Sequence, residues 1–168
     1  MSPRPLPLAL LALSLAAGCG GDAPAGSGHF GWELLVEKAV ADQLSAFQVA
    51  VLPNGKQRNC TELQKQCLRS QVKLDELLML HDGKGAEGRA LRFPVNLSGT
   101  DSTTQEVSIE VPVGRDYALV IEGVSTDNPP QFLGSSCNYL PEVNANRNTP
   151  VLAAPMTLTP VACDPTIP

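Results

Sequence analysis

The sequence predicts a mainly β fold, an antiparallel β-sandwich with one short helix. The 168 residues include 14 glycines and 15 prolines, a high content of turn-forming residues that is typical of short strands joined by many turns. Several short segments alternate apolar and polar residues, as strands with one buried face do. A chain of this length suits one domain with its own core.

The segment "WELLVEKAVADQLSAF" matches two patterns about equally well. It fits a helix whose apolar face includes Trp32, Val36 and Ala39, and it also fits a strand from Trp32 to Glu37 followed by a turn of helix. We favour the strand. The adjoining "FQVAVL" places Phe47, Val49 and Val51 on one face, which predicts a second strand.

The next segments predict one short helix and one extended stretch. "TELQKQCLRSQ" contains good helix formers, and Thr61 stands where an N-cap is expected. "VKLDELLML" then returns to an extended pattern, with one face formed by Val72, Leu74, Glu76, Leu78 and Leu80.

The second half of the chain predicts further strands by alternation. "ALRFPVNL" directs Leu91, Phe93, Val95 and Leu97 to one side. "EVSIEVPVG" and "YALVIEGV" are separated by the turn Gly114-Arg115-Asp116 and are interpreted as a hairpin, with Val107, Ile109, Val111, Val113, Tyr117, Leu119 and Ile121 as their apolar positions. "PMTLTPVAC" contains Pro160 and predicts an edge strand, because proline cannot donate to a sheet. Six or seven such strands predict a sandwich.

Four cysteines of the predicted domain, Cys60, Cys67, Cys137 and Cys163, predict two disulfides. Four cysteines allow three connectivities, and proximity along the chain favours Cys60 with Cys67 and Cys137 with Cys163. A continuous helix would hold the first pair about 10.5 Å apart, beyond the reach of a bridge, so the helix must bend if that pair forms. A Cys₄ zinc site is disfavoured because no Cys-x-x-Cys pair is present, and no metal or cofactor is expected.

The leader ends in small residues followed by a cysteine. Arg4 precedes a short apolar run, and Ala16-Ala17-Gly18 stand directly before Cys19. This layout resembles the lipobox of bacterial lipoprotein precursors, which implies a signal peptide over residues 1–18, acylation of Cys19 and a lipid anchor in the membrane. Gly20 is not aspartate, and the resemblance therefore implies the outer membrane. The alternative is an ordinary secretory leader with a free thiol at Cys19, but lipidation leaves an even number of cysteines to pair.

Residues 19–31 are mostly glycine, alanine, serine and proline, which predicts a flexible tether before a sandwich domain over residues 32–168. The formal net charge is −5, and no stripe of basic residues occurs. Nucleic acids are therefore not expected as partners.

The segments "VSIEVPVGRDYALVIEGVS", "FLGSSC" and "TPVLAAPMTLTP" carry a second resemblance. They are similar to the prealbumin-like or carboxypeptidase-regulatory-like repeats of bacterial surface lipoproteins, in which a strand ends in Pro-x-Gly and is followed by an aromatic strand, a glycine-containing return and an apolar strand. The resemblance implies an Ig-like or transthyretin-like topology. The resemblance also implies an accessory, adhesive or binding module, since such domains usually have no catalytic residues of their own.

Motifs that carry chemistry are absent from the sequence: it has no nucleophile elbow, phosphate-binding loop, zinc-protease motif or dinucleotide fingerprint. The two histidines are His29 and His81. "LHDGKGAEG", with Asp82 and Glu87, is interpreted as a hairpin turn rather than a cation loop. "NANRN", residues 144–148, is interpreted as a turn rather than a sugar-contacting loop. No catalytic residue is assigned, and we do not expect an enzyme.

Two function hypotheses follow. The first is a non-catalytic, membrane-anchored lipoprotein that binds an envelope protein or glycan. The second is a periplasmic carrier of a small ligand, with an apolar pocket between the sheets. A filled interior favours the first and a large apolar pocket favours the second. An enzyme would require two or more carboxylates with strongly shifted pKa values in one cleft.

Overall fold

The chain forms a mainly β sandwich of two sheets. The computed structural model describes residues 26–37, 41–96, 102–145, 148, 151–153 and 155–168. Within them lie ten strands: β1 Ser27–Glu37, β2 Leu44–Pro53, β3 Leu80–His81, β4 Glu87–Gly88, β5 Leu91–Pro94, β6 Ser102–Pro112, β7 Gly114–Ser125, β8 Phe132–Val143, β9 Val151–Leu152 and β10 Thr157–Val161.

The strands form a first sheet in the order β4-β3-β6-β1-β9 and a second sheet in the order β10-β8-β7-β2-β5. Neighbouring strands are antiparallel, except that β1 and β9 run parallel. The predicted strand from Trp32 to Glu37 is confirmed. The predicted edge position of the strand around Pro160 is also confirmed, since β10 borders the second sheet.

The space between the sheets is filled by side chains from both inner faces. The predicted apolar sets of β2, β6 and β7 meet there, and Phe47, Val49, Val51, Ile109, Leu119 and Ile121 have no exposed surface. Trp32 and Leu34 of β1 pack into the same cluster. Burial of this kind stabilises the fold by about 1.5–3 kcal/mol for each large apolar side chain.

The second sheet is buried on its outer face as well. A short helix, α1 (Cys60–Leu63), three 3₁₀ turns (Gly55–Gln57, Leu68–Ser70 and Leu74–Glu76) and the C-terminal residues form a cover over it. The second apolar cluster lies beneath this cover and comprises Ala50, Leu52, Leu63, Leu68, Leu77, Ala118, Val120, Cys137 and Ile167. The second sheet is therefore the middle of three layers.

Two disulfides fasten the cover. Cys60 pairs with Cys137 of β8, and Cys67 pairs with Cys163, with Cα atoms 5.4 and 6.4 Å apart. Two disulfides were predicted, but the connectivity favoured by proximity is wrong. Since α1 ends at Leu63, the chain bends before Cys67, and each cysteine faces a different distant segment.

The hairpin predicted for β6 and β7 is also wrong. Only Val113 separates these strands, yet β6 belongs to the first sheet and β7 to the second. Each strand buries its apolar face against the opposite sheet, so the chain crosses the sandwich at this point. Gly114 suits the crossing because a Cβ atom there would collide with the Tyr117 hydroxyl group.

Three local expectations also differ from the structure. Residues 27–31, predicted to belong to the tether, form the start of β1. Asn59 rather than Thr61 caps α1, because its side-chain oxygen accepts the Thr61 N–H at 3.0 Å. The extended stretch predicted over 72–80 contains a 3₁₀ turn at Leu74–Glu76, where the Glu76 carboxylate accepts the Lys73 N–H at 3.1 Å.

Candidate binding groove

The β3–β4 hairpin ends in a turn held by one carboxylate. Asp82 Oδ1 accepts the N–H groups of Lys84 and Ala86 at 2.7 and 2.9 Å, and these hydrogen bonds, the Lys84 bond foremost, lower the pKa of Asp82. Gly83 and Gly85 have positive φ values of 69° and 110°, which glycine adopts readily. The predicted turn is confirmed, and its carboxylate is occupied by backbone donors.

Two adjoining clefts meet at this turn and form what we call the Lys84 groove. Both clefts are lined by Lys84 together with Glu106, Val107 and Ser108 of β6. The first, of about 440 Å³, extends over β1 and is completed by Gly31, Trp32 and Glu33. The second, of about 370 Å³, extends towards β5 and is completed by Asp82, Arg92, Phe93, Pro94, Asn96 and Gln105.

The first cleft is acidic. Glu33 and Glu106 stand directly opposite each other in the β1–β6 ladder, an arrangement of like charges that costs stability. Gly31 lies opposite Ser108, and a Cβ atom at Gly31 would meet nothing within 4 Å. The cleft therefore combines open space with two neighbouring carboxylates and the Lys84 ammonium group.

The second cleft lies between β6 of the first sheet and β5 of the second sheet, a boundary that we call the open seam. β6 pairs with β1 from Ser102 to Pro112, whereas on its other side the described pairing joins Glu110 to His81. At one end, the Gln105 amide crosses the seam: its Nε2 donates to the Pro94 carbonyl at 3.0 Å, and its Oε1 accepts the Asn96 N–H at 2.8 Å.

A buried carboxyl group lies elsewhere, beneath the cover of the second sheet. Desolvation raises the pKa of Glu122 to about 7, against the lowering effect of hydrogen bonds from Leu68 N–H and the Gln48 side chain. Glu122 lines neither cleft. Its hydrogen-bond partners are amide groups rather than a second carboxyl group.

The remaining candidate residues line neither cleft. His29 faces Glu110 at 3.7 Å, and His81 faces Glu87 at 3.5 Å. Asn148 Oδ1 accepts the Asn144 N–H at 2.7 Å, which supports the predicted turn. Cys19 lies outside the described residues. The part of the chain that the structure describes contains no cluster of three or more metal-ligating side chains.

Sequence reasoning missed the groove and the buried glutamate. The available signals were a charged residue within the apolar run "YALVIEGV" and the glycine-rich turn beside Lys84. Neither signal indicates which segments the fold brings together.

Comparison with known proteins assigns no family: the chain matches no protein-family model, no curated protein and no solved structure. Among the described residues, no helix is long and apolar enough to cross a membrane.

Proposed function

We propose that this protein is a lipid-anchored lipoprotein of a bacterial cell envelope, acylated at Cys19 and carried on the outer membrane, whose sandwich is a non-catalytic binding module for an envelope protein or glycan. The leader with its small residues before Cys19 supports the anchor. The Lys84 groove supports the binding role, and it is the observation on which that role depends.

The composition of the groove favours binding over catalysis. Surface carboxylates, an ammonium group and strand backbone line it, whereas the carboxyl group with the strongly raised pKa, Glu122, is enclosed beneath the cover. Catalytic acids and bases with shifted pKa values usually lie in clefts that a substrate enters. The groove instead offers a surface for recognition.

The carrier alternative receives less support. Trp32, Phe47 and Leu119, which lie between the sheets, are at most 2% exposed. The two clefts described above open to the surface and have charged residues in their walls. A carrier needs an apolar cavity inside the fold, and the described interior is packed with side chains.

Metabolic labelling with an alkyne fatty acid tests the anchor. We expect the full chain to take up label and to sediment with membranes, and a Cys19→Ser variant to do neither. A Gly20→Asp variant is the matched control, because it keeps the acylated cysteine and is expected to change the membrane rather than the labelling. Labelling of the Cys19→Ser chain would overturn the anchor.

Site-specific photo-crosslinking tests the binding role in intact envelopes. A photoreactive residue at Ser108, in the groove, is expected to give a discrete cross-linked species, whereas one at Leu158, an exposed position on β10, is expected to give none. Equal cross-linking from both positions, or none from Ser108, would contradict a binding role for the groove.

A further inference from the structure

We infer that the Lys84 groove takes an extended polypeptide segment of a partner protein, which adds to the open edge of β6 as a further strand of the first sheet. The inference rests on the proposed function, because it names the kind of partner that the module binds.

The backbone of β6 provides the first argument. In an antiparallel ladder, alternate residues direct their N–H and C=O groups to opposite sides of the strand. β1 pairs with one side of β6. On the other side, alternate residues within 105–109 direct their N–H and C=O groups towards the seam, and the described strands pair with that side of β6 at Glu110 rather than at residues 105–109. A row of this kind is complementary to another extended backbone.

The opposite wall of the seam provides the second argument. Phe93 and Val95 pack against the interior cluster but remain partly exposed. They lie on and just after β5, the border strand of the second sheet. A strand added beside β6 would lie across from them, and its inward side chains would cover their exposed surface. The site therefore favours apolar residues at alternate positions of the partner.

The ends of the groove set the length of the bound segment. Gln105 closes one end through its bonds to Pro94 and Asn96, and the turn at Lys84 lies at the other. Four positions of β6, residues 106–109, lie between them, which corresponds to about 13 Å of strand. The cleft volume of about 370 Å³ is within the range of ligand sites.

Charge distinguishes a partner from a second copy of this chain. The outward positions beside the edge carry Glu106, with Glu33 opposite it, while Lys84 and Arg92 also line the groove, and the whole chain has a net charge of −5. Pairing two β6 edges would bring these acidic surfaces together. A partner strand with lysine or arginine at its outward positions meets them favourably.

Other sheet borders are less suitable. β4 and β9 have two residues each, β5 has four residues and ends at Pro94, and β10 contains Pro160 and a shift of register. Short strands, prolines and bulges are features that prevent further pairing at a sheet edge.

The test uses phage-displayed nonapeptides with Val, Ile, Leu or Phe at alternate positions, screened against the full chain purified in detergent. We expect enrichment over a library of equal composition whose apolar residues are consecutive, with lysine or arginine preferred between them. Backbone N-methylation of a selected peptide at one set of alternate residues should weaken binding by about tenfold, since it removes about two hydrogen bonds to β6, and methylation of the other set should not. Hydrogen exchange of residues 105–109 should slow in the complex.

Variants locate the site. Phe93→Ser is expected to weaken binding of the selected peptide, and Leu158→Ser, an exposed apolar control on β10, is expected to leave it unchanged. The inference is overturned if no peptide is enriched, or if both methylation sets are tolerated equally. Protection of residues 105–109 that increases with protein concentration in the absence of peptide would assign the edge to a second copy and would also overturn it.

These outcomes are separable from those of the proposed function. Peptide binding does not require acylation, so a chain that binds peptide but is not labelled at Cys19 would refute the anchor and not the strand addition. If a partner cross-links to Ser108 but no selected peptide binds, the binding role of the groove is supported and the strand addition is refuted.

Discussion

Gln48 donates a hydrogen bond from Nε2 to Oε2 of Glu122 at 2.9 Å, across the neighbouring strands β2 and β7. Both residues are 1% exposed. The same Gln48 nitrogen donates to the Pro165 carbonyl at 2.7 Å, and Glu122 Oε1 accepts the Leu68 N–H at 2.6 Å. The pair therefore attaches the cover to the middle layer at two points, one beside each end of the Cys67–Cys163 disulfide.

The buried carboxyl group makes stability depend on pH. The pKa of Glu122 is about 7 in the folded protein against an ordinary value of 4.5, so between these pH values the folded state holds a proton that the unfolded state has lost. The free energy of unfolding should fall by about 3 kcal/mol as pH rises through this window. A Glu122→Gln variant should lose this dependence, measured by urea denaturation at pH 4.5, 6 and 7.5.

The matched control for that experiment is Glu142→Gln. The Glu142 side chain is 44% exposed and pairs with Arg115 at 3.2 Å on the surface. We expect its denaturation profile to follow that of the unaltered protein. A Glu122→Gln variant that keeps the same pH dependence as the control would contradict the assignment to Glu122.

Removing the Cys60–Cys137 bridge by double replacement with serine should lower the free energy of unfolding by about 4 kcal/mol, since the bridge closes a loop with a sequence separation of 77. Chemical denaturation measures the loss. Peptide mapping without reduction should recover Cys60 linked to Cys137 and Cys67 linked to Cys163. Recovery of Cys60 linked to Cys67 would contradict this connectivity.

Replacement by alanine should change the free energy of unfolding differently at Gly55 and at Gly31. A Cβ atom at Gly55 would collide with the Tyr117 carbonyl group, a backbone contact that cannot move aside cheaply, so Gly55→Ala should cost about 1–3 kcal/mol. At Gly31 a Cβ atom meets open space, and Gly31→Ala should be neutral or stabilising by up to about 1 kcal/mol. Thermal unfolding of the two variants compares them directly, and equal shifts would disprove the close contact at Gly55.

Truncation of Phe47 tests the filled interior. Phe47 has no exposed surface, and Phe47→Ala should cost about 3–5 kcal/mol. Leu158, which is 49% exposed, provides the control, and Leu158→Ala should change stability by less than about 0.5 kcal/mol. A small loss in the free energy of unfolding for Phe47→Ala would contradict close packing of side chains between the sheets.

The strands could be predicted because the alternation of apolar and polar residues within a segment indicates which of its faces is buried. Phe47, Val49 and Val51 show the period of two directly, and the proline in β10 indicates its edge position without reference to other segments. The crossing between β6 and β7 could not be predicted this way. A turn beside two apolar strands is compatible with pairing in one sheet and with passage to the other, and the choice depends on which partners the rest of the chain supplies.

The disulfides and the groove depend on the same distant packing. Cys60 and Cys67 are close in sequence, but their partners are 77 and 96 residues away, and the cover brings them together. Glu122 could be identified only as an exception within an apolar run, because its partners Leu68 and Gln48 come from other elements. Sequence patterns describe each element, whereas these sites belong to contacts between elements.

The two disulfides interleave along the chain, because Cys67 lies between Cys60 and Cys137, and Cys163 follows all three. Every peptide bond between Cys67 and Cys137 is therefore spanned by both bridges, including those of the turn at Lys84. A trypsin-like endopeptidase that cuts after Lys84 produces two fragments that remain covalently joined at two places. Such a nick becomes visible on an electrophoresis gel only after reduction, and the severed turn stays attached to the molecule.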